Sequence, residues 1–245
     1  MTFDPFGDFA TEGYLRNFEK EKDLAIVKRA ENASFMTGLD EAFAILAKVK
    51  TFSYDDVLTT HGILFGAIYP WAGQDRTQNA PKLTIRKGSV IFANAAEIRA
   101  AVQFALLKGQ DKASMKANPG EIMGYLAYGH PFLDGNGRTI MTVHSVLAQR
   151  AGFSIDWGAT NKDAYLNALA EEIENPRKRR LDSWLEPFVR DPIAYEQLAT
   201  VIVQAPGLMG GVHDTSLHEI LGTAEEPAVK EQYEATLVKR NKPWI

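Results

Sequence analysis

The chain has 245 residues, 45% hydrophobic and 24% charged, which is enough to bury one large core or two small ones. A net charge of -4 argues against a protein wrapped in nucleic acid, and no apolar run reaches the roughly 18 residues of a membrane span. The absence of cysteine rules out a disulfide framework and thiolate chemistry; it points to a reducing cytoplasm, with a secreted effector as the alternative.

The N-terminal stretch is acidic and polar and lacks a secretory apolar region. Residues 39–52, LDEAFAILAKVKTF, put Leu39, Phe43, Leu46 and Val49 on one helical face. Residues 53–69 predict a second helix, with Ser53 as N-cap and acids in the first turn. Helix signals then fade across a stretch with two prolines and two glycines. Within it, KLTIRKGSVIF has β-type residues on both sides of Lys87-Gly88 and predicts a short hairpin.

Asn94 is expected to cap the next helix, with Glu97 in the capping-box position and Gly109 as a stop. Asn118-Pro119 opens another, which EIMGYLAYGH carries to His130. After a loop, RTIMTVHSVLAQRAG is helical, with a stripe of Ile140, Val143, Leu147 and Ala151 and Gly152 at its end. Thr160 and Asp163 look like the cap for NKDAYLNALAEEI, and two further helices follow. Residues 205–212 form a loop or hinge, and the final thirty-odd residues read as helical, polar and peripheral. The expectation is one α-helical domain with one hairpin and no clean internal boundary.

The loop at residues 129–139, GHPFLDGNGRT, holds a base, an acid, an amide and a guanidinium just where a helix begins. The first N–H groups of a helix lack intrahelical partners and carry partial positive charge. Gly135-Asn136-Gly137 can therefore cradle an anion, and Arg138 adds a planar cationic fork suited to phosphate. Asp134 supplies one carboxylate, enough for magnesium when phosphate oxygens share the ion. An imidazole titrates near pH ~6.5 in model peptides, so His130 can take a proton from an attacking hydroxyl. Together these suggest transfer of a phosphate-containing group by positioning and charge stabilisation. For each residue alone, an ordinary loop with an Asx-turn is the simpler account.

The string resembles the Fic-domain signature, H-x-F-x-[D/E]-G-N-G-R-x-x-R, at His130, Phe132, Asp134, Gly135, Asn136, Gly137 and Arg138. LFGAIYPWAGQDRT, LTIRKGSVIFAN and GYLRNFEKEKDLAIVKRAENASF resemble the flanking segment, the flap hairpin and the N-terminal region of one bacterial Fic branch. The resemblance covers roughly residues 10–190. It implies a mainly α, Fic-type helical bundle with one β-hairpin flap: residues 1–200 with a core of about 36–190, then a helical tail at 201–245.

It also implies a protein adenylyltransferase that moves AMP from ATP onto a Ser, Thr or Tyr hydroxyl of a target protein and releases pyrophosphate. By resemblance His130 is the general base and Asp134 holds Mg²⁺ against the phosphates. Gly135, Asn136 and Gly137 line the anion hole, Arg138 contacts phosphate, and Phe132 anchors the loop. The flap backbone at Thr84, Ile85, Arg86, Lys87 and Gly88 would pair with the target as an added strand. Tyr165 and Asn167 are candidates for a nucleobase pocket, with helix packing or surface as the alternative.

The last motif position carries Met141 in place of arginine. No complete [S/T]-x-x-x-E-[G/N] inhibitory motif is present. Glu12-Gly13, Glu31-Asn32 and Glu174-Asn175 supply its second half without the hydroxyl residue, and Thr215 and Glu219 are followed by Ile220. This leaves an active transferase restrained in trans by a small antitoxin or unrestrained, a transferase of UMP, phosphocholine or phosphate, or an inactive binding module. A metal-dependent phosphodiesterase has only one visible carboxylate to rest on. PRKRR at 176–180 reads as solvated surface, His144 as packing, His213 and His218 as too widely spaced for a metal pair, and His61 as having no partner in view. Neither nucleic acid nor membrane is expected as a partner.

Overall fold

A computed structural model describes residues 4–7, 15–209, 219–240 and 243. Eleven α-helices run in chain order among these residues. They are α1 (Leu24–Lys48), α2 (Tyr54–Phe65), α3 (Arg76–Asn79), α4 (Ala95–Gln110), α5 (Lys112–Ala117), α6 (Pro119–Gly129), α7 (Asn136–Ala151), α8 (Lys162–Glu174), α9 (Arg180–Leu185), α10 (Leu198–Val203) and α11 (Pro227–Arg240). Five short strands are interleaved: β1 (Leu83–Lys87), β2 (Val90–Ile91), β3 (Ser154–Ile155), β4 (Val189–Arg190) and β5 (Glu219–Thr223). The mainly α class with one hairpin holds. No helix among the described residues is long and apolar enough to cross a membrane.

The core is built around α6 and α7. Every α6 residue except Glu121 is buried, which explains why EIMGYLAYG lacks a polar face. α7 buries an unbroken run from Arg138 to Ala148. Both ends of the 129–139 loop are thus fixed in the best-packed part of the molecule.

Local signals worked where the side chain stayed local. Ser53 and Asp56 form a capping box on α2, Pro119 starts α6, and Gly152 ends α7 with φ +91°. They failed where tertiary contacts intervened. Asn94 is the N-cap residue of α4, but its Oδ1 accepts from Thr84 Oγ1 at 3.0 Å. Glu97, the expected capping-box partner, accepts from the hydroxyls of Tyr233 and Tyr128. Gly109 does not stop α4, which runs on to Gln110; a Cβ there would lie 2.8 Å from Leu147 Cδ1, so the glycine lets α4 approach α7. Asn161 caps α8, whose Ala164 N–H it binds, while Thr160 closes the preceding 3₁₀ turn.

The hairpin forms where expected, with Gly88 at φ +58°. The tail departs from expectation. β5 pairs antiparallel with β1 from Leu83↔Thr223 to Arg86↔Glu219, giving sheet order β2-β1-β5. Both edges of β1 are therefore taken by this chain, and the edge expected to receive a target strand is covered. Nor is α11 peripheral. It buries Val229, Tyr233 and Arg240, with the Tyr233 hydroxyl 2.9 Å from that of Tyr128 and the Arg240 guanidinium 3.6 Å above the Tyr128 ring. Residues 213, 215 and 218, which entered the metal-pair and inhibitory-motif expectations, lie outside the described residues, as do 12 and 13.

One buried acid gives a pH prediction. Glu172 on α8 is fully buried; its Oε2 accepts from Leu181 N–H at 3.0 Å and its Oε1 has no partner. Burial pushes its pKa up to about 7, against the pull of the Leu181 N–H. The folded state therefore holds this proton more tightly than the unfolded chain. The stability it contributes is full below the unfolded carboxyl value and is lost as pH rises through about 7. Thermal melts from pH 6 to 8.5 should show the wild type losing roughly 1–1.5 kcal/mol that Glu172→Gln retains. Parallel curves for the two chains would refute this.

Candidate functional site

The 129–139 loop is shaped by backbone conformations that few residues adopt. His130, the C-cap of α6, is left-handed at φ +42°, a cost of about 1–2 kcal/mol for a residue with a side chain. Gly135, the N-cap of α7, has φ +76°, and a Cβ on it would lie 2.5 Å from Phe65 Cε2. Gly137 faces open space, with nothing within 4 Å of where its Cβ would be. The N–H groups of Asn136, Gly137 and Arg138 find no acceptor among the described residues. They leave the first turn of α7 as an anion cradle open on the Gly137 side.

Phe132 anchors the loop as expected, fully buried and stacked on His61 at 3.7 Å. His61 does have partners, contrary to the sequence reading. Its Nδ1 accepts from Gly73 N–H at 2.9 Å, so Nε2–H donates to the Asp134 carbonyl at 3.1 Å. Burial drops its pKa to about 3, which keeps it neutral and holds this tautomer. His61 is a brace for the loop.

His130 is buried beside the cradle. Asn136 Oδ1 accepts from Phe132 N–H at 2.9 Å, which fixes its amide with Nδ2 toward His130 Nε2 at 3.1 Å. Nε2 therefore carries the lone pair. Phe92, just past β2, stacks on the imidazole at 3.8 Å. Arg76, fully buried, joins the two segments. Its Nε donates to His130 O at 2.8 Å and its Nη2 to Ala93 O at 2.6 Å, while its own backbone N–H donates to Pro131 O. Burial lowers its pKa to about 10, so it stays charged at neutral pH. Loop and flap are thus held in one geometry by a single guanidinium.

The acidic and basic motif residues meet α1. Arg138 pairs with Glu31 at 2.6 Å and donates to Asn32 Oδ1 at 2.9 Å, and its guanidinium lies 4.7 Å over the Phe65 ring. Lys28 donates to Asp134 Oδ2 at 2.7 Å and to Glu31 Oε2 at 2.9 Å. Burial pulls Lys28 down, but Asp134 and Glu31 more than offset it and hold it above the usual lysine range. Burial and the Asp134 charge raise Glu31, against Arg138 and Lys28. Glu31-Asn32, half of an inhibitory motif by sequence, therefore sits on the motif arginine. Met141 is buried in the core.

The magnesium expected at Asp134 does not fit this arrangement. Oδ1 accepts from Gly135 N–H at 2.7 Å and Oδ2 from the Lys28 ammonium, so each oxygen already holds a donor and the cation that Asp134 faces is Lys28. No cluster of three His, Cys, Asp or Glu side chains that could hold a metal exists among the described residues.

The structure thus brings His130, Asp134, Gly135, Asn136, Gly137 and Arg138 together, with the flap against them. Thr84 and Ile85 are buried at the flap base. Tyr165 packs between Trp157 and Trp184 with its hydroxyl on Met123 Sδ, and Asn167 is exposed on α8; these contacts favour packing and surface over a nucleobase pocket. His144 is a buried packing residue that donates to Pro119 O, and in the 176–180 cluster Arg179 pairs with the largely buried Asp182 and Arg180 with the exposed Glu171. Sequence reading missed Arg76, Phe92 and Lys28. Each acts across a long sequence separation, and none had a local signal.

A helical core that presents a glycine-rich helix N-terminus, a buried histidine and a flap hairpin defines a Fic-type fold. The profile of the Fic/DOC family matches residues 51–148, and the chain belongs to that family. Over 181 residues it is 33% identical to the protein adenylyltransferase VbhT of Bartonella schoenbuchensis, covering 69% of this chain. The chain spans only about a third of that relative, 35% of its length. Among solved structures, the BepC effector of Bartonella tribocorum with bound AMPPNP aligns with TM-score 0.60 and 20% identity, over 73% of this chain and 93% of that one. The N-terminal Fic domain of a Bep effector from Bartonella quintana with bound ADP aligns with TM-score 0.60 and 23% identity, over 74% and 92%.

Proposed function

We propose that the chain is a protein adenylyltransferase that moves AMP from ATP onto a Ser, Thr or Tyr hydroxyl of a target protein. The observation that carries this reading is the His130 lone pair beside the open first turn of α7. The N–H groups of Asn136 and Gly137 take phosphate oxygens. The target hydroxyl attacks the α-phosphorus, a new O–P bond forms, and the bond to pyrophosphate breaks. His130 Nε2 exchanges the Asn136 amide for the hydroxyl proton as the reaction proceeds. The identity with a protein adenylyltransferase and the nucleotides bound by the two Bep structures support the choice of donor. Intact-mass measurement on the chain, incubated with ATP and lysate proteins, tests it: a gain of one AMP on the chain or a target is expected. No gain with any nucleoside triphosphate would leave the inactive binding module.

A target strand reaches β1 only when β5 leaves it. β5 is a suitable door: Ile220 is 52% exposed, so backbone pairing holds the strand more than side-chain burial does. The register shifts at Leu221, between the Thr84↔Gly222 and Ile85↔Ile220 pairs, so Ile220→Pro and Leu221→Pro both strike the strand where its pairing is irregular. A loss of about 1.4 kcal/mol in pairing opens the edge about tenfold more often. One of these variants should modify targets correspondingly faster, with faster hydrogen exchange at residues 83–87. Faster exchange with no change in target modification would show that β5 does not gate the flap.

A further inference from the structure

Four charges run in a line from the core to the mouth of the cradle. Arg138 meets Glu31 at 2.6 Å, Glu31 meets Lys28 at 2.9 Å, and Lys28 meets Asp134 at 2.7 Å. The Glu31 side chain is fully buried and that of Arg138 is 10% exposed, whereas those of Lys28 and Asp134 are 27% and 16% exposed. The Lys28–Asp134 end is the one that meets solvent, and it adjoins the turn formed by Gly135 and Gly137.

Lys28 is fixed there by its helix. It lies three residues before Glu31 on α1, and the same helix buries Phe35, Leu39, Phe43 and Leu46 in the core. Its ammonium is held between two carboxylates, each at hydrogen-bond distance. A divalent ion on Asp134 Oδ2 and an ammonium 2.7 Å from the same oxygen would repel each other strongly, so one excludes the other. The other carboxylate oxygen is already committed to the Gly135 N–H.

We propose that Lys28 is the resident cation of this phosphate site, holding at Asp134 the position a divalent ion would need and supplying the positive charge that phosphate meets. This rests on the reading that the cradle takes nucleotide phosphate. Lys28 is then a positioning residue for the nucleotide, and nucleotide binding does not depend on a divalent ion.

Calorimetric titration of ADP into the full chain tests this, in EDTA and in excess Mg²⁺, for the wild type, Lys28→Met and Lys28→Arg. The wild type is expected to bind ADP equally, within about twofold, in both buffers. Lys28→Met should lose about tenfold or more in EDTA and recover with Mg²⁺, and Lys28→Arg should follow the wild type. Wild-type binding that strengthens tenfold or more with Mg²⁺, with Lys28→Met no weaker in EDTA, overturns the proposal and leaves the nucleotide reading intact. ADP binding in neither buffer by any chain removes the nucleotide reading, and the role of Lys28 with it. Thermal melts separate a folding loss from a binding loss. If Lys28→Met does not fold, the wild-type and Lys28→Arg titrations decide alone.

Discussion

His130→Ala is expected to lower AMP transfer by roughly 10²- to 10⁴-fold, the range of a positioned general base. Nucleotide binding should stay within a few-fold of wild type, because the cradle is made of α7 backbone and not of the imidazole. The split between the two readouts carries the test. The His130 side chain touches Asn136 and Phe92, while the loop is held independently by Phe132 on His61 and by Asn136 on the Phe132 backbone. Removing the imidazole also leaves a left-handed alanine, a similar strain to the one already present. A variant that keeps full transfer would remove His130 from the mechanism. One that loses transfer and binding together would make it a structural residue.

Arg76→Met is expected to cost about 2–4 kcal/mol of stability, because two buried carbonyls, His130 O and Ala93 O, lose their donor. At this chain length that is a fall of roughly 2–4 °C in Tm per kcal/mol. Methionine keeps most of the volume, so the change reports the hydrogen bonds more than a cavity. Transfer activity should fall further than stability alone explains. Arg76 ties the loop carrying His130 to the segment carrying Phe92 and Ala93, and its loss lets the proposed base and the hairpin drift apart. A drop in Tm with normal activity in the folded fraction would make Arg76 structural only. An unchanged Tm would contradict the buried network.

The elements written in local chemistry were legible in the sequence. Ser53 with Asp56, Pro119 and Gly152 set helix ends through contacts with their own neighbours, and Lys87-Gly88 set the hairpin turn. The central site was legible for the same reason: base, acid, glycines, amide and guanidinium lie within one loop, and a helix N-terminus needs no distant partner to become an anion cradle. The sequence by itself therefore determined the fold class and the motif to which the proposed chemistry is assigned.

Tertiary structure decided what those residues face. Asn94 and Glu97 spell a capping box, yet Thr84, Tyr128 and Tyr233 claim their side chains. β5 has no sequence mark that it belongs on β1, because an edge strand is chosen by whichever backbone can reach its unpaired groups. Lys28 and Asp134 are separated by 106 positions, and Arg76 and His130 by 54. Pairs of that kind follow from where packed helices bring charges out of water. Burial then forces each charge onto the nearest opposite one, and no periodicity in the chain records that choice.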